Sequence, residues 1–70
     1  MVTNNEYLKQ MGERLRVIRK SKRVTLAVLG KVCKLKPLTI CNIEHGKRDC
    51  HILTLKNIAN ALNVDVKEFL

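Results

Sequence analysis

The 70-residue sequence predicts an all-α fold, a compact bundle of five helices forming one domain over residues 1–70. Three observations carry that expectation. Apolar residues make up 46% of the chain, enough to build a core. They recur at intervals of three and four and show no sustained alternation. Pro occurs once and Gly three times, so interruptions of the helical pattern are few and sharp. A core of this size supplies only about 3–5 kcal/mol, so extra stability is expected from a disulfide set, a metal, tight helix packing or a partner subunit.

The first helix is expected from Tyr7 to Lys20, with residues 1–6 as an N-terminal extension. Leu8, Met11, Leu15 and Ile18 form its apolar stripe, and Lys9, Arg16 and Lys20 lie off it. Thr25 opens the second helix, because its hydroxyl can accept a free amide of the first turn. Val24 and Leu29 have staple spacing, and Leu29 and Cys33 face inward. Gly30 within this helix points to close approach by another helix. A short turn at Lys34 and Leu35 follows.

The third helix starts near Pro37, whose ring suits the first helical position. It turns Ile40 and Ile43 inward and stops at Gly46, a natural left-handed terminator. The fourth helix covers Ile52 to Leu62, with Leu55, Ile58, Ala59 and Leu62 as its buried stripe and Asn63 as its left-handed end. A fifth, of one or two turns, is opened by Asp65 with Glu68 three residues on, in capping-box spacing. After the core is filled, Val64, Val66, Phe69 and Leu70 remain as an apolar seam for a second copy of the chain.

Charge is unevenly placed. Lys and Arg number 14 against 6 Asp and Glu, a net charge of +8. Residues 1–36 hold 10 basic and 2 acidic side chains, whereas residues 37–70 hold 4 of each. Nine cations fall between Glu13 and Glu44 with no acid among them. A solvated helix face is the plainer reading, but uncompensated like charges repel and destabilise, which favours a polyanionic partner. Tyr7 and Phe69 are the only aromatic residues, which argues against recognition of single strands by base stacking.

Other function classes find little support. No apolar run approaches the ~18–20 residues of a membrane span, and the first helix needs its apolar stripe for the core and so is not free to lie on a membrane. The first residues lack the pattern of a secretory signal. Cys33, Cys41 and Cys50 are odd in number and read as free thiols of the cytoplasm. There is no Ser/His/Asp set, glycine-rich phosphate loop or carboxylate pair, so no enzyme, cofactor or small-molecule ligand is expected. Cys41, His45, Cys50 and His51 are metal-ligand types without paired Cys-x-x-Cys spacing, so no metal is expected either.

The second and third helices, joined by a turn of about three residues, make a helix-turn-helix. The segment TLAVLGKVCKLKPLTICNIEHGKR, followed by LTLKNIANALNVDVKEFL, resembles the DNA-binding domain of the Cro/phage-repressor (lambda-repressor-like) family. The strongest parts are I-x-x-I-E-x-G-K-R from Ile40 to Arg48 and L-x-x-I-A-x-A-L-N-V from Leu55 to Val64; the opening GERLRVIR at Gly12 to Arg19 also fits. The resemblance covers roughly residues 12–70. It implies a small transcriptional regulator of double-stranded DNA in a bacterium, phage or mobile element. Phage repressors, restriction–modification controllers and antitoxins are the relatives it suggests.

The resemblance also implies roles. Arg19 and Glu44 would form a structural ion pair. Lys36, Pro37, Leu38 and Asn42 would face the major groove and meet base edges, Leu38 through a thymine methyl, Asn42 through an adenine edge or a phosphate, and Lys36 through guanine or a phosphate. Thr25, Thr39, Lys47 and Arg48 would hold phosphates, Thr25 at a helix N-terminus. A homodimer on an inverted repeat would double the site that one helix reads. The sequence departs from the family at Leu26, where Gln is usual, at Gly30, where Ala is usual, at Lys34, where Gly is usual, and at Cys50, where Pro is common. Leu26 and Leu38 fit the alternative of a protein-interaction module that keeps the fold without specific DNA binding.

Overall fold

The computed structural model describes residues 4–70 and is helical throughout its regular parts. Its elements are α1 (Asn4–Ser21), α2 (Leu26–Cys33), α3 (Pro37–Glu44), α4 (Ile52–Ala61) and one turn of 3-10 helix, η1 (Val66–Phe69). The architecture is thus four α-helices and a 3-10 turn, which corrects the expectation of five helices. The cause lies in the last segment. Asp65 accepts from the Lys67 amide, two residues on, and not from Glu68. The backbone then closes from Glu68 N–H to Asp65 O and from Leu70 N–H to Lys67 O, and this tighter coil drives Phe69 inward.

α1 begins at Asn4, earlier than Tyr7, so part of the expected extension is helical. Residues 1–3 of that extension lie outside the described residues. The other boundaries follow local chemistry. Thr25 Oγ1 accepts from Val28 N–H at 3.1 Å and caps α2. Lys34 closes it in the left-handed region at φ 58°. Pro37 occupies the first turn of α3, and Gly46 follows its end at φ 71°. Asn63 is left-handed beyond α4, at φ 59°. His51, noted in the sequence only as a metal-ligand type, caps α4: its Nδ1 accepts from Leu53 N–H at 3.2 Å.

The core consists of Met11, Leu15, Leu29, Ile40, Ile43, Leu55, Ile58, Ala59, Leu62 and Phe69, with Leu8, Ile18, Val24 and Cys33 packed at its margin. α1 packs on α3 and η1, α2 on α3 and α4, and α4 on η1. Two glycines allow close backbone crossings. A Cβ on Gly12 would lie 2.3 Å from Ile43 O and 2.6 Å from Glu44 O, so α1 meets the end of α3 with backbone against backbone. A Cβ on Gly30 would lie 2.5 Å from Leu35 O. Gly30 therefore accommodates the turn between α2 and α3, not another helix as its position suggests. No helix among the described residues is long and apolar enough to cross a membrane.

Candidate nucleic-acid interface

α3 is held in place from behind. Ile40 and Ile43 are buried and anchor its inner face. Glu44, at its last turn, is buried with Arg19 of α1. Arg19 Nε donates to Glu44 Oε2 at 2.6 Å, and Nη2 donates to Oε1 at 3.1 Å. The planar guanidinium therefore meets the carboxylate through two bonds. Its remaining terminal nitrogen, Nη1, donates to the Val24 carbonyl at 2.7 Å. The cluster joins α1, the residue preceding the cap of α2, and the C-terminal end of α3. Among the described residues no buried side-chain nitrogen or oxygen lacks a partner.

The outer face of α3 follows from the same geometry. With Ile40 and Ile43 inward, the 100° advance per residue turns Leu38, Cys41, Asn42 and His45 outward. Leu38 is 68% exposed. Asn42 and Cys41 are half-buried. Lys36 and Pro37 are exposed at the start of the helix, and Lys36 supplies no side-chain cap. Thr39 sits on the flank and lines a small cleft with Arg48, Asp49 and His51. Thr39 and Arg48, distant in sequence, are thus brought to one edge. Lys47 and Arg48 are exposed in the turn after α3, where Lys47 N–H donates to Asn42 O at 2.9 Å. Thr25 is exposed at the start of α2; its oxygen is engaged in capping while its O–H remains a donor.

The cysteines are separated by environment. Burial pushes the Cys33 thiol above its ordinary range. Cys50 is raised by burial first and by the Asp49 charge next, with Arg48 opposing. Both stay neutral thiols at neutral pH. Cys41 Sγ lies 3.5 Å from His45 Nδ1, and the same nitrogen lies 2.8 Å from the Cys41 carbonyl, to which it donates when protonated. Among the described residues no group of three or more potential ligands comes together around a metal position.

The proposed apolar seam needs one correction. Phe69 is fully buried and belongs to the core, because η1 turns its ring onto α1 and α4. Val64 and Val66 are half-buried, and Leu70 is exposed. Ile52 and Leu53, at the start of α4, are exposed apolar residues outside that expectation. Neither belongs to the stripe of Leu55, Ile58, Ala59 and Leu62, and the 100° advance per residue puts Leu53 on the face opposite it.

α3, with its exposed polar and apolar face, packs against the capped helix α2 across a three-residue turn, which is a helix-turn-helix arrangement. Solved structures agree. The restriction–modification controller protein C.AhdI from Aeromonas hydrophila superposes with a TM-score of 0.86 at 25% identity, over 90% of this chain and 96% of that one. The DNA-binding domain of BldD gives 0.84 at 29% identity, over 94% and 96%. The clp gene regulator ClgR from C. glutamicum gives 0.87 at 25% identity, over 90% and 81%. No protein-family model matches the chain, and no curated protein sequence matches it.

Proposed function

We propose that this protein is a small transcriptional regulator that binds double-stranded DNA sequence-specifically, with α3 in the major groove. The observation that carries this reading is the exposed face of α3: Leu38 and Asn42 project outward between Lys36 at one end and Lys47 and Arg48 at the other. Apolar and amide groups read base edges, and flanking cations hold phosphates without reading sequence. The similarity to C.AhdI, a restriction–modification controller protein, to ClgR, a gene regulator, and to the DNA-binding domain of BldD supports the same assignment. Cys41 Sγ lies near His45 Nδ1, but the same nitrogen is engaged with the Cys41 carbonyl at 2.8 Å, and the reading is of a binding protein.

In this reading Lys36, Pro37, Leu38 and Asn42 meet the bases, and Thr25, Thr39, Lys47 and Arg48 meet phosphates. The chain acts as a homodimer on an inverted repeat. Eight helical residues span about 12 Å, or about three to four base pairs, too few for useful specificity alone. The seam lies on Val64, Val66 and Leu70, in the half of the chain where charges balance and two copies meet without repulsion.

Binding of a labelled duplex across a salt series tests the class of partner. Counterion release predicts that log K falls linearly and steeply with log[salt]. A second reading, a protein-interaction module, draws on the exposure of Leu38 and predicts weak duplex binding. Affinity for duplex that is negligible at low salt would decide for that second reading.

A further inference from the structure

We propose that a cationic stripe on α1, formed by Lys9, Arg16 and Lys20, is a second anchor on the DNA phosphates, separate from the turn after α3. The inference rests on the DNA-binding reading above and adds an element to it.

The placement follows from two contacts. Gly12 marks the direction of α3, since its Cα stands against the Ile43 and Glu44 carbonyls. Measured around the α1 axis from Gly12, Arg16, Lys9 and Lys20 lie at roughly 40°, 60° and 80° on one side. Arg14 lies at roughly 160° on the other side, where its guanidinium donates to the Leu70 carbonyl beyond η1. The stripe therefore flanks α3 and faces away from η1. The second contact fixes its near end. A Cβ on Gly46 would stand 2.8 Å from Lys9 Cγ and 2.9 Å from Lys9 Cα, so Lys9 lies directly against the turn that carries Lys47. Phosphates held by Lys47 are within the reach of a neighbouring lysine stem.

The charges are available. Among the described residues the ion pair is Arg19 with Glu44, and none of the three stripe cations joins an acid. Glu13 lies on the solvent side of the stripe and forms no ion pair with it. Three cations in one row, none of them in an ion pair among the described residues, repel one another in the free protein and lose that repulsion against a polyanion. The turn after α3 and the stripe together form a continuous basic edge beside the recognition helix.

The test is a salt series on one duplex with Lys9→Gln, Arg16→Gln and Lys20→Gln, and with Arg14→Gln as a charge-matched control on the opposite flank. Each stripe variant should lower the slope of log K against log[salt] by about 0.9. The loss of affinity between 50 and 200 mM salt then shrinks by about 3.5-fold per variant. Sequence preference should stay unchanged, and Arg14→Gln should keep the wild-type slope. Steep wild-type binding with unaltered slopes in the three stripe variants overturns the stripe alone. A wild-type chain that fails to bind duplex overturns the stripe together with the DNA-binding reading.

Discussion

Arg19 and Glu44 lie 25 residues apart in sequence and meet through two hydrogen bonds, at 2.6 and 3.1 Å, in the interior of the domain. Arg19 also holds the Val24 carbonyl, so one side chain sets the relative position of α1, the entry to α2 and the end of α3. Both partners are nearly inaccessible, Arg19 at 8% and Glu44 at 4%. A buried pair of this kind contributes little net stability against apolar residues of the same shape, yet losing one partner strands a charge. Glu44→Ala should therefore destabilise the domain by about 3–5 kcal/mol. The double change Arg19→Met with Glu44→Leu should cost less than Glu44→Ala alone. Denaturant unfolding of the variants checks both statements, and a double variant less stable than the single would refute the burial argument.

Gly12 should tolerate no side chain. A methyl group there meets two carbonyl oxygens of α3 that belong to the backbone and cannot swing aside. Gly12→Ala gains helix propensity of about 1 kcal/mol but forces α1 away from α3. A net loss of about 1–3 kcal/mol is expected, measurable as a lowered denaturant midpoint at unchanged m-value. A variant as stable as wild type would mean that the two helices do not cross this closely.

Lys34 predicts the opposite sign. Its φ of 58° holds an L-residue in the left-handed region, a strain of about 1 kcal/mol. Lys34→Gly should stabilise the domain by about 0.5–1 kcal/mol, the gain being reduced by the greater freedom of glycine in the unfolded chain. Thermal unfolding at fixed protein concentration reads this directly.

Asn42 and Lys47 should divide specificity from affinity. Asn42→Ala should cost roughly 1–3 kcal/mol on the preferred duplex and relax discrimination at particular base pairs. Lys47→Ala should weaken all sequences alike and lower the salt slope by about one. Identical behaviour of the two variants across a panel of duplexes would dissolve the division between helix and turn.

Leu70 tests the seam. Its side chain is exposed, so Leu70→Asp leaves the core intact. A carboxylate there should weaken self-association and remove cooperative binding to paired half-sites, while the far-ultraviolet spectrum stays helical. Sedimentation of wild type and variant at matched concentrations shows whether association moves.

Much of the fold is legible in the sequence because its punctuation is local. Thr25, Pro37, Gly46 and Asn63 each act through the backbone of their own turn, and the pattern of Leu55, Ile58, Ala59 and Leu62 states one buried face. Crossings are less legible. Gly30 signals that something comes close, but whether that is a helix or the carbonyl of Leu35 depends on the path of the chain after the helix. Phe69 shows the same limit: four residues do not define a stripe, so the inward direction of its ring follows from the 3-10 coil. Lys9 is ordinary in sequence, and only the contact with Gly46 places it beside Lys47.

Selection of bound duplexes from a random DNA library by the purified protein should enrich an inverted repeat whose half-sites are spaced about one helical turn apart. Recovery of duplexes with no shared sequence, at salt low enough to permit binding, would contradict sequence-specific binding and leave only unspecific attraction between a basic surface and a polyanion.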